Sequence, residues 1–523
     1  TSPQNIASEL ADFLLEKYPD AIIKTAGGYL NIFLDKKNIS AEIAADVINA
    51  GENYGKQDLF SSQKIMIEFS CPNTNKPLHL GHMRNNILGE SISRLFSFLG
   101  ADVCKVNLIN DRGIHICKSM LAYKELGNGE TPESAGKKSD HFVGDYYVKF
   151  NQWASSDDSA EEKAREMLRR WENGDQEVMS LWKRMNEWAI DGINKTYKRT
   201  GISFDRVYYE SQTYLLGKDL VLKGLDNGVF YKENDGSVWV DLSEIGLDKK
   251  VLLRKDGTSL YLTQDLGTAV SRHEDWPFER LIYVVASEQN YHFKVLFYVL
   301  KKLGYDWAEN LYHLSYGMVN LPEGKMKSRE GTVVDADNLL DQLVEMAKAE
   351  IEEKGKLEQG DDADKAAEAI ALGALHYFLL QVSPNKDMIF DPRESISLTG
   401  NTGPYLQYMG ARISSMLRKA PELVVSPEEV DTSRLNQASE WELMSLMGEF
   451  PEILASAARD YNPSLIVSYL YDVGKLFSRY YHDNPIITNE DKETAKARLL
   501  LARCVLNVLK AGFKLLNIPF LER

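Results

Sequence analysis

The chain has 523 residues, 44% of them hydrophobic and 26% charged, which is typical of a globular protein of about two to four domains. The net charge of −16 argues against binding nucleic acid by bulk electrostatics, although it leaves room for a local basic groove. No apolar run approaches the roughly 18 residues of a membrane span, and the N-terminus "TSPQNIASEL" lacks the pattern of a signal peptide. The cysteines never form a C-x-x-C pair, which favours the reducing cytoplasm and argues against structural zinc.

The first 60 residues mix helical and strand-like patterns. The segment "IASELADFLLEKY" has helical periodicity, and "YLNIFLD" is strand-like. The polar stretch "NAGENYGKQD" that follows is typical of a linker. We therefore predict that residues 1–60 are a separate N-terminal unit.

Residues 61–125 are predicted to form one βαβ unit. The strands are "KIMIEF" and "DVCKVNLI", and between them Leu88, Ile92, Leu95 and Leu99 recur at helical spacing. A strand, a helix and a strand within about 45 residues indicate a parallel pair with a right-handed crossover.

The rest of the chain alternates in character. Residues 126–210 are charged and helical without a strand signal, which predicts an insertion. Strand patterns return in "GVFYKE", "SVWVDL", "SLYLT" and "RLIYVVA", and only helical periodicity follows from about residue 365. We predict a doubly wound α/β domain at 61–385 with a helical insertion at about 126–210, then an all-α bundle at 386–523. In the last helix one apolar stripe is predicted at Leu506, Leu509, Phe513 and Leu516.

The first strand-to-helix turn, "SCPNTNKPLHLGHMRNNILGES", carries the residues expected of a phosphate site. A helix N-terminus there offers free N–H groups and a partial positive charge. Imidazoles at His79 and His82 can donate to phosphate oxygens, and Lys76 adds a point charge. Gly81 has no Cβ, so a flat base can lie against the backbone. The alternative is that both histidines only pack against or cap the helix start.

A second cluster lies in "GMVNLPEGKMKSREGTVVDADNLL", residues 317–340, where a basic loop runs between two glycines. A basic run alone is most often a solvated face. Together, however, "HLGH" and "KMKSR" resemble the HIGH and KMSKS signatures of class I aminoacyl-tRNA synthetases, a Rossmann-like fold in which both segments bind ATP.

The resemblance narrows to the arginyl-tRNA synthetase family. The segments "IEFSCPNTNKPLHLGHMRN", "LYLTQDLGTA", "SEQNYHFKVL", "LTGNTGPYLQYMGARI" and "ARLLLARCVLNVLKAGFKLLNIPFLER" look, in this order, like the signatures of that family. The likeness covers most of residues 22–523 and leaves the insertion at 126–210 without a counterpart.

The resemblance implies an arginine pocket. It places Tyr261 and Asp265, which are spaced i,i+4 on one helical face, against the guanidinium group. It implies a second acidic contact from Glu68. The remaining implied contacts are Asn73 and Gln289 at the amino acid's α-groups and Cys71, where the family often has serine.

The resemblance also implies an ATP site. Its implied catalytic residues are Lys76, His79, His82, Lys325 and Lys327. The implied ATP-binding residues are Pro77, Leu80, Gly81, His82, Met318, Met326 and Ser328. The second lysine of KMSKS falls at Ser328, and in such members the lysine before the histidine motif, Lys76 here, is thought to substitute. In "NDRGIHI" the family's aromatic residue is missing, and we assign no role to Arg112 or His115.

The C-terminal bundle is expected to bind the anticodon of a tRNA. Residues 401–523 contain 14 Lys and Arg against 15 Asp and Glu, so ionic attraction cannot dominate there. Unpaired bases are instead recognised by stacking and by their edges. The matching positions are Tyr405, Tyr408, Arg412 and Tyr481, although burial in the core is the alternative for each tyrosine. Residues 1–60 resemble the back half of the family's extra N-terminal domain, which contacts the tRNA elbow.

The resemblance thus implies a cytoplasmic, monomeric arginine–tRNA ligase that uses L-arginine, ATP and tRNA(Arg). Mg²⁺ is expected with the phosphates, without a dedicated protein cage or any other metal site. Two alternatives stay open. A small-molecule nucleotidyltransferase also uses an H-x-G-H turn, but the long helical C-terminus with its tyrosines argues against it. A non-catalytic paralogue that only binds tRNA or protein is disfavoured by intact His79, His82 and Lys76.

Overall fold

The computed structural model describes residues 2–19, 22–33, 35–322, 334–353 and 361–522, with the backbone alone for residue 361. Within these ranges, no helix has both the length and the apolar character that crossing a bilayer requires.

The N-terminal segment consists of a helix, a hairpin and a second helix. These elements are α1 (Pro3–Lys17), β1 (Ile22–Ala26), β2 (Tyr29–Phe33) and α2 (Lys36–Ala50). The stretch predicted as a linker is packed, because Tyr54 is buried, stacks on Phe450 and donates to the Met447 carbonyl at 3.0 Å. Residues 36–60 therefore lie against the C-terminal helices.

The predicted βαβ unit is confirmed. It comprises β3 (Lys64–Glu68), α3 (Leu80–Phe98) and β4 (Asp102–Ile109), with β3 parallel to β4. Ile65, Met66 and Ile67 are fully buried, as expected for a strand covered by helices on both faces.

The insertion consists of four helices with a core of their own. They are α4 (Ile114–Leu126), α5 (Ser139–Ala154), α6 (Ser159–Glu172) and α7 (Gln176–Thr200). Their facing apolar stripes bury Met120, Phe142, Phe150 and Trp171. The predicted lack of strands up to residue 210 is wrong at its end. Here β5 (Arg206–Tyr209) pairs with β4. This strand has only four residues and polar neighbours, so its sequence pattern is too short to indicate a strand.

A small antiparallel sheet follows β5. The elements are α8 (Glu210–Thr213), α9 (Gly217–Asp226), β6 (Tyr231–Lys232), β7 (Val238–Val240), β8 (Lys250–Leu253) and α10 (Tyr261–Asp275). The predicted strand "SLYLT" is wrong, since Tyr261 begins α10. Leu262, Leu266 and Ala269 are buried at helical spacing. This helical pattern extends beyond the five residues whose alternation indicated a strand, and it decides the structure.

The second half of the parallel sheet comprises β9 (Arg280–Ala286), α11 (Asn290–Lys302) and β10 (Leu311–Tyr316). The full order is β10–β9–β3–β4–β5, with every neighbouring pair parallel. Chain order reverses between β9 and β3, which confirms the doubly wound fold and places the expected ligand crevice beyond the ends of these two strands.

The remaining elements are almost entirely helical. They are β11 (Val319–Asn320), α12 (Ala336–Glu353), α13 (Asp361–Leu380), β12 (Met388–Ile389), α14 (Pro392–Ser395), α15 (Gly403–Lys419), α16 (Ala438–Gly448), α17 (Phe450–Arg459), α18 (Ser464–Asp483) and α19 (Lys492–Leu515). The two-residue pair of β11 with β12 corrects the expectation of helix alone after residue 365. The predicted stripe of α19 is buried, including Leu506 and Phe513.

Candidate active site

His79 and His82 begin α3 and cap it reciprocally. The Gly81 amide donates to His79 Nδ1 at 3.1 Å, and the His79 amide donates to His82 Nδ1 at 3.2 Å. Burial lowers the pKa of His79 to about 4 and that of His82 well below its usual value, so both rings are neutral at pH 7. Because each Nδ1 accepts, each ring carries its proton on Nε2. Both histidines therefore cap the helix, and this capping leaves two Nε2–H donors.

The turn after β3 has left-handed backbone at two successive residues, Ser70 with φ 76° and Cys71 with φ 47°. Such conformations are costly outside glycine and persist where the surroundings impose them. Here the Ser70 amide donates to Asn85 Oδ1 at 2.5 Å, and the Cys71 amide donates to Asn107 Oδ1 at 3.1 Å. Burial holds the pKa of the Cys71 thiol well above its usual value, so this side chain stays a thiol. Asn73 is exposed just beyond the turn.

Lys76 lies in a cavity of about 420 Å³ that Pro77 and His79 also line. Among the described residues, no carboxylate forms an ion pair with Lys76, and burial lowers its pKa. Leu80 is buried and donates its amide to the Val334 carbonyl at 3.0 Å. The histidine turn is thereby fixed to the backbone that follows residues 323–333.

Five of the six predicted arginine contacts line a second cavity of about 480 Å³ beyond β3 and β9, and Asn73 does not. Its lining residues include Glu68, Cys71, Tyr261, Asp265, Arg272, Gln289 and His292. Asp265 Oδ2 accepts from His292 Nε2 at 2.6 Å. A carboxylate can only accept, so this nitrogen is the donor. Tyr261 is 77% exposed, so its ring is available to a ligand.

Glu68 is not a free acid in this cavity. Its Oε2 contacts Nη1 of Arg272, and the two residues are only 6% and 1% exposed. Proximity to Glu68 offsets the effect of burial and raises the pKa of Arg272. The buried pair neutralises Glu68, which leaves Asp265 as the predicted acid that faces the cavity.

A larger cavity of about 910 Å³ adjoins the cavity of about 480 Å³ through Tyr261 and Asp265. Asn73 lines it, and so does Glu210, which follows the edge strand β5. Burial raises the pKa of Glu210 to about 7. Arg112 also lines this cavity, pairing with Glu172 at 3.0 Å and stacking over the Tyr214 ring at 3.9 Å.

Met318 is anchored by its backbone beside α3. Its amide donates to Asp387 Oδ1 at 2.7 Å, and its carbonyl accepts from Arg84 Nη1 at 3.2 Å. Arg84 is 1% exposed and also donates to the carbonyls of Gly317, Pro384 and Lys386. The predicted Lys325, Met326, Lys327 and Ser328 lie outside the described residues.

One cluster in the described residues has ligand atoms close enough to consider a metal ion: Asp140, His141 and Asp337. Lys138 Nζ donates to Asp140 and to Asp337, at 2.8 Å in each case. Because an ammonium group already bridges both carboxylates, the cluster does not fit a cation site. The four cysteines are free thiols.

Three of the four predicted tRNA residues meet at one cavity of about 410 Å³ in the C-terminal region. Arg412 lies over the rings of Tyr408 and Tyr481, at 4.8 and 5.1 Å from their centroids. Tyr405 is half-buried beside Tyr471 and does not line this cavity. The stacked guanidinium and rings form the kind of flat surface on which unpaired bases stack.

Sequence reasoning missed Arg272, His292, Arg84 and Glu210. His292 stands inside the matched segment "SEQNYHFKVL", so that match could have found it. Arg84 and Arg272 are each charged residues within a buried helical stretch, which is itself a signal of a satisfied internal charge.

Two family models match the chain. The catalytic domain of class I tRNA synthetases (R) matches residues 44–392, and the DALR anticodon binding domain matches residues 406–523. The first covers the parallel sheet with both candidate cavities, and the second begins at the helix that carries Tyr408 and Arg412.

Comparison with individual proteins also identifies arginine–tRNA ligases as relatives. Arginine–tRNA ligases of Treponema denticola and Borrelia hermsii are 59% and 48% identical, over 100% and 99% of this chain and 90% and 89% of theirs. The solved Thermus thermophilus arginyl-tRNA synthetase superposes with a TM-score of 0.84 at 26% identity, covering 100% of this chain and 92% of that one. The chain belongs to the arginyl-tRNA synthetase family of class I synthetases.

Proposed function

We propose that Asp265 and Tyr261 bind the guanidinium of arginine while the His79–His82 turn binds ATP. As an arginine–tRNA ligase, the enzyme activates arginine with ATP and transfers it to the 3′-terminal adenosine of tRNA(Arg). The observation that carries the residue assignment is that the cavity of about 910 Å³ shares Tyr261 and Asp265 with the acid-lined cavity and Asn73 with the cavity of the histidine turn, at the switch point of the sheet.

The guanidinium assignment is supported by charge. Glu68 is neutralised by Arg272, whereas the side-chain partner of Asp265 within the described part of the chain is His292. A planar cation with paired N–H donors complements a carboxylate, and the exposed Tyr261 ring offers a face for it. We propose that Glu68 acts indirectly, by holding Arg272 at the back of the cavity, while Cys71, Asn73 and Gln289 bind the α-amino and carboxylate groups.

The phosphate assignment is supported by donor geometry. His79 and His82 use Nδ1 for capping and retain Nε2–H, while Lys76 lacks a carboxylate partner among the described residues. Donors fixed before reaction stabilise charge that develops on phosphate oxygens as pyrophosphate leaves. Pro77, Leu80, Gly81 and Met318 are proposed to line the nucleotide, together with Lys325, Met326, Lys327 and Ser328.

The reaction needs no covalent enzyme intermediate. The carboxylate of arginine attacks the α-phosphorus of ATP, giving arginyl-adenylate and pyrophosphate. The terminal ribose hydroxyl of tRNA then attacks the activated carbonyl, and AMP leaves. The residues contribute positioning and charge stabilisation. Mg²⁺ is proposed to enter bound to the ATP phosphates, since the Lys138-bridged cluster does not fit it.

The cavity around Arg412 is proposed to bind an anticodon base. Its cation and two rings favour stacking on an unpaired base, and Tyr405 would support the fold of the site from the neighbouring layer. We further propose a cytoplasmic monomer with a catalytic domain at 61–385, an anticodon-binding domain at 386–523 and an N-terminal tRNA-binding remnant at 1–60.

Charging of total tRNA with each labelled amino acid in turn tests the function. We expect ATP-dependent charging with arginine alone, and loss of charging when tRNA(Arg) is depleted. Adenylation of another acid without tRNA would favour a nucleotidyltransferase, and tRNA binding without charging would favour a non-catalytic paralogue.

A further inference from the structure

Helix α7 of the insertion contacts both halves of the candidate active site through two successive residues. Tyr197 faces the turn that follows β3, and Thr196 faces the first turn of α12. Both side chains are buried, at 5% and 1% exposure, so these polar contacts are made away from solvent. The insertion had no predicted role.

Tyr197 supports the left-handed turn. Its hydroxyl lies 2.6 Å from Ser70 Oγ and accepts from Asn107 Nδ2 at 3.2 Å. Asn107 in turn accepts the Cys71 amide through Oδ1. The Tyr197 hydroxyl therefore bonds the Ser70 side chain and orients Asn107, the group that holds Cys71 at positive φ. Burial raises the pKa of Tyr197, which keeps it a hydroxyl at neutral pH.

The same helix supports the next part of the turn. Thr74 donates its hydroxyl to Asn186 Oδ1, and Asn186 Nδ2 donates to the Asp111 carbonyl at 3.2 Å. Asn73 lies between the segments held by Tyr197 and by Asn186. Asn73 lines the adjoining cavity of about 910 Å³, and α7 holds the backbone on both sides of it.

Thr196 supports the other half of the site. Its hydroxyl lies 3.0 Å from Asp337 Oδ2, and Lys138 Nζ donates to the same hydroxyl at 2.7 Å. Asp337 follows directly on Ala336, whose amide donates to the Leu78 carbonyl at 3.0 Å. This contact connects α7 to the backbone that fixes the histidine turn.

We propose that Tyr197 and Thr196 are positioning residues through which the insertion aligns the arginine cavity with the ATP-binding turn. The inference rests on the proposed assignment of the two cavities. A buried tyrosine that served stability alone would need no bond to the left-handed turn. Removing its hydroxyl would then change the KM values for arginine and ATP alike.

The test is steady-state aminoacylation with Tyr197→Phe, which removes only the hydroxyl. We expect the KM for arginine to rise about tenfold and the KM for ATP to change less than about twofold. The reason is that a displaced turn after β3 misplaces the residues proposed to bind arginine and so weakens arginine binding. Ser70→Ala removes the hydroxyl that bonds Tyr197, and it should likewise raise the KM for arginine more than the KM for ATP. Thr196→Val should raise the KM for ATP about fivefold with little effect on arginine.

Tyr123→Phe is the matched control. Tyr123 is a buried tyrosine of the same insertion whose hydroxyl donates to the Glu130 carbonyl at 2.7 Å, away from the turn. Its loss should lower the melting temperature without changing either KM. Equal effects of Tyr197→Phe and Tyr123→Phe, or equal rises of both KM values in Tyr197→Phe, would overturn the proposal.

Asp265→Asn separates this inference from the proposed function. Asp265 lies on α10 and takes no part in the contacts of α7 described above. An unchanged arginine KM in Asp265→Asn would remove the guanidinium assignment, whereas Tyr197→Phe and Ser70→Ala decide the positioning role by their own KM values.

Discussion

The imidazole of His292 donates to Asp265 across 2.6 Å, from helix α11 to helix α10. The contact engages Oδ2 of a carboxylate that lines the cavity. A carboxylate oxygen can accept more than one bond, so a guanidinium can still bind both oxygens. On the proposed assignment, His292 orients the acid rather than competing with arginine.

Replacement of His292 tests this orientation. His292→Ala should raise the arginine KM about tenfold or more, because a hydrogen bond to a charged group is worth about 1.5–3 kcal/mol. His292→Gln retains a donor near the Nε2 position and should stay within about threefold of the wild type. The measurement is aminoacylation kinetics, and an Ala variant with better arginine binding would mean that His292 obstructs the acid.

We predict that activation of arginine depends on tRNA. The KMSKS-like segment has Ser328 where the signature has its second lysine, so the enzyme alone is expected to be incomplete. ATP–pyrophosphate exchange should be negligible with arginine and ATP, and it should appear when tRNA(Arg) is added. Robust exchange without tRNA would contradict this expectation.

Lys76 is expected to supply the charge that Ser328 cannot. Lys76→Ala should lower kcat by about 10²–10³, the usual contribution of a charge stabiliser, with little change in the arginine KM. Ser328→Lys should restore part of that loss in the double variant, because both side chains would act on one phosphate cluster.

The single Ser328→Lys variant is the control for this pair. If it is fully active but gives no rescue, or if Lys76→Ala alone keeps nearly full activity, Lys76 does not act on the phosphates. Its lack of a carboxylate partner among the described residues would then reflect only its place in an open cavity.

His376 makes folding stability depend on pH. It is 1% exposed, and burial lowers its pKa from 6.5 to about 4. The unfolded chain then binds more protons between these values, so stability falls as pH drops from 6.5 toward 4. Through this residue alone, the free energy of unfolding should be about 2 kcal/mol lower at pH 5 than at pH 7.

Urea unfolding at pH 7 and pH 5 measures this difference. His376→Asn can keep the bond to the Asn517 carbonyl, which His376 Nδ1 makes at 2.6 Å, without a titrating ring. Between pH 7 and pH 5, the free energy of unfolding of the variant should fall by about 2 kcal/mol less than that of the wild type. His482→Asn, at a fully accessible position, should match the wild type, and equal losses in all three proteins would exclude the effect.

The βαβ unit and the C-terminal helices could be predicted because their patterns are long. Ile65–Ile67 form one apolar run, and Leu506 and Phe513 repeat over several turns. The strand Arg206–Tyr209 and the start of α10 at Tyr261 were not predictable, since each depends on a short pattern that only pairing or packing decides.

The candidate site shows the same division. His79 lies at the strand-to-helix turn that its pattern predicts, and the binding role of Asp265 stays a prediction. The pairing of Glu68 with Arg272 joins residues about 200 positions apart across two elements, and no local pattern announces it. Likewise, the left-handed Ser70 and Cys71 depend on Asn85 and Asn107, which are distant in sequence.

The selectivity of Asp265→Asn for arginine over citrulline shows whether the charge of Asp265 recognises the guanidinium of arginine. Citrulline has the shape of arginine without the charge, and the Asn variant keeps the shape of Asp265 without its charge. Breaking one side of such a pair typically costs about 2–5 kcal/mol. We predict that the ratio of kcat/KM for arginine to that for citrulline falls at least about 30-fold, with the ATP KM nearly unchanged. An unchanged ratio would place the guanidinium elsewhere.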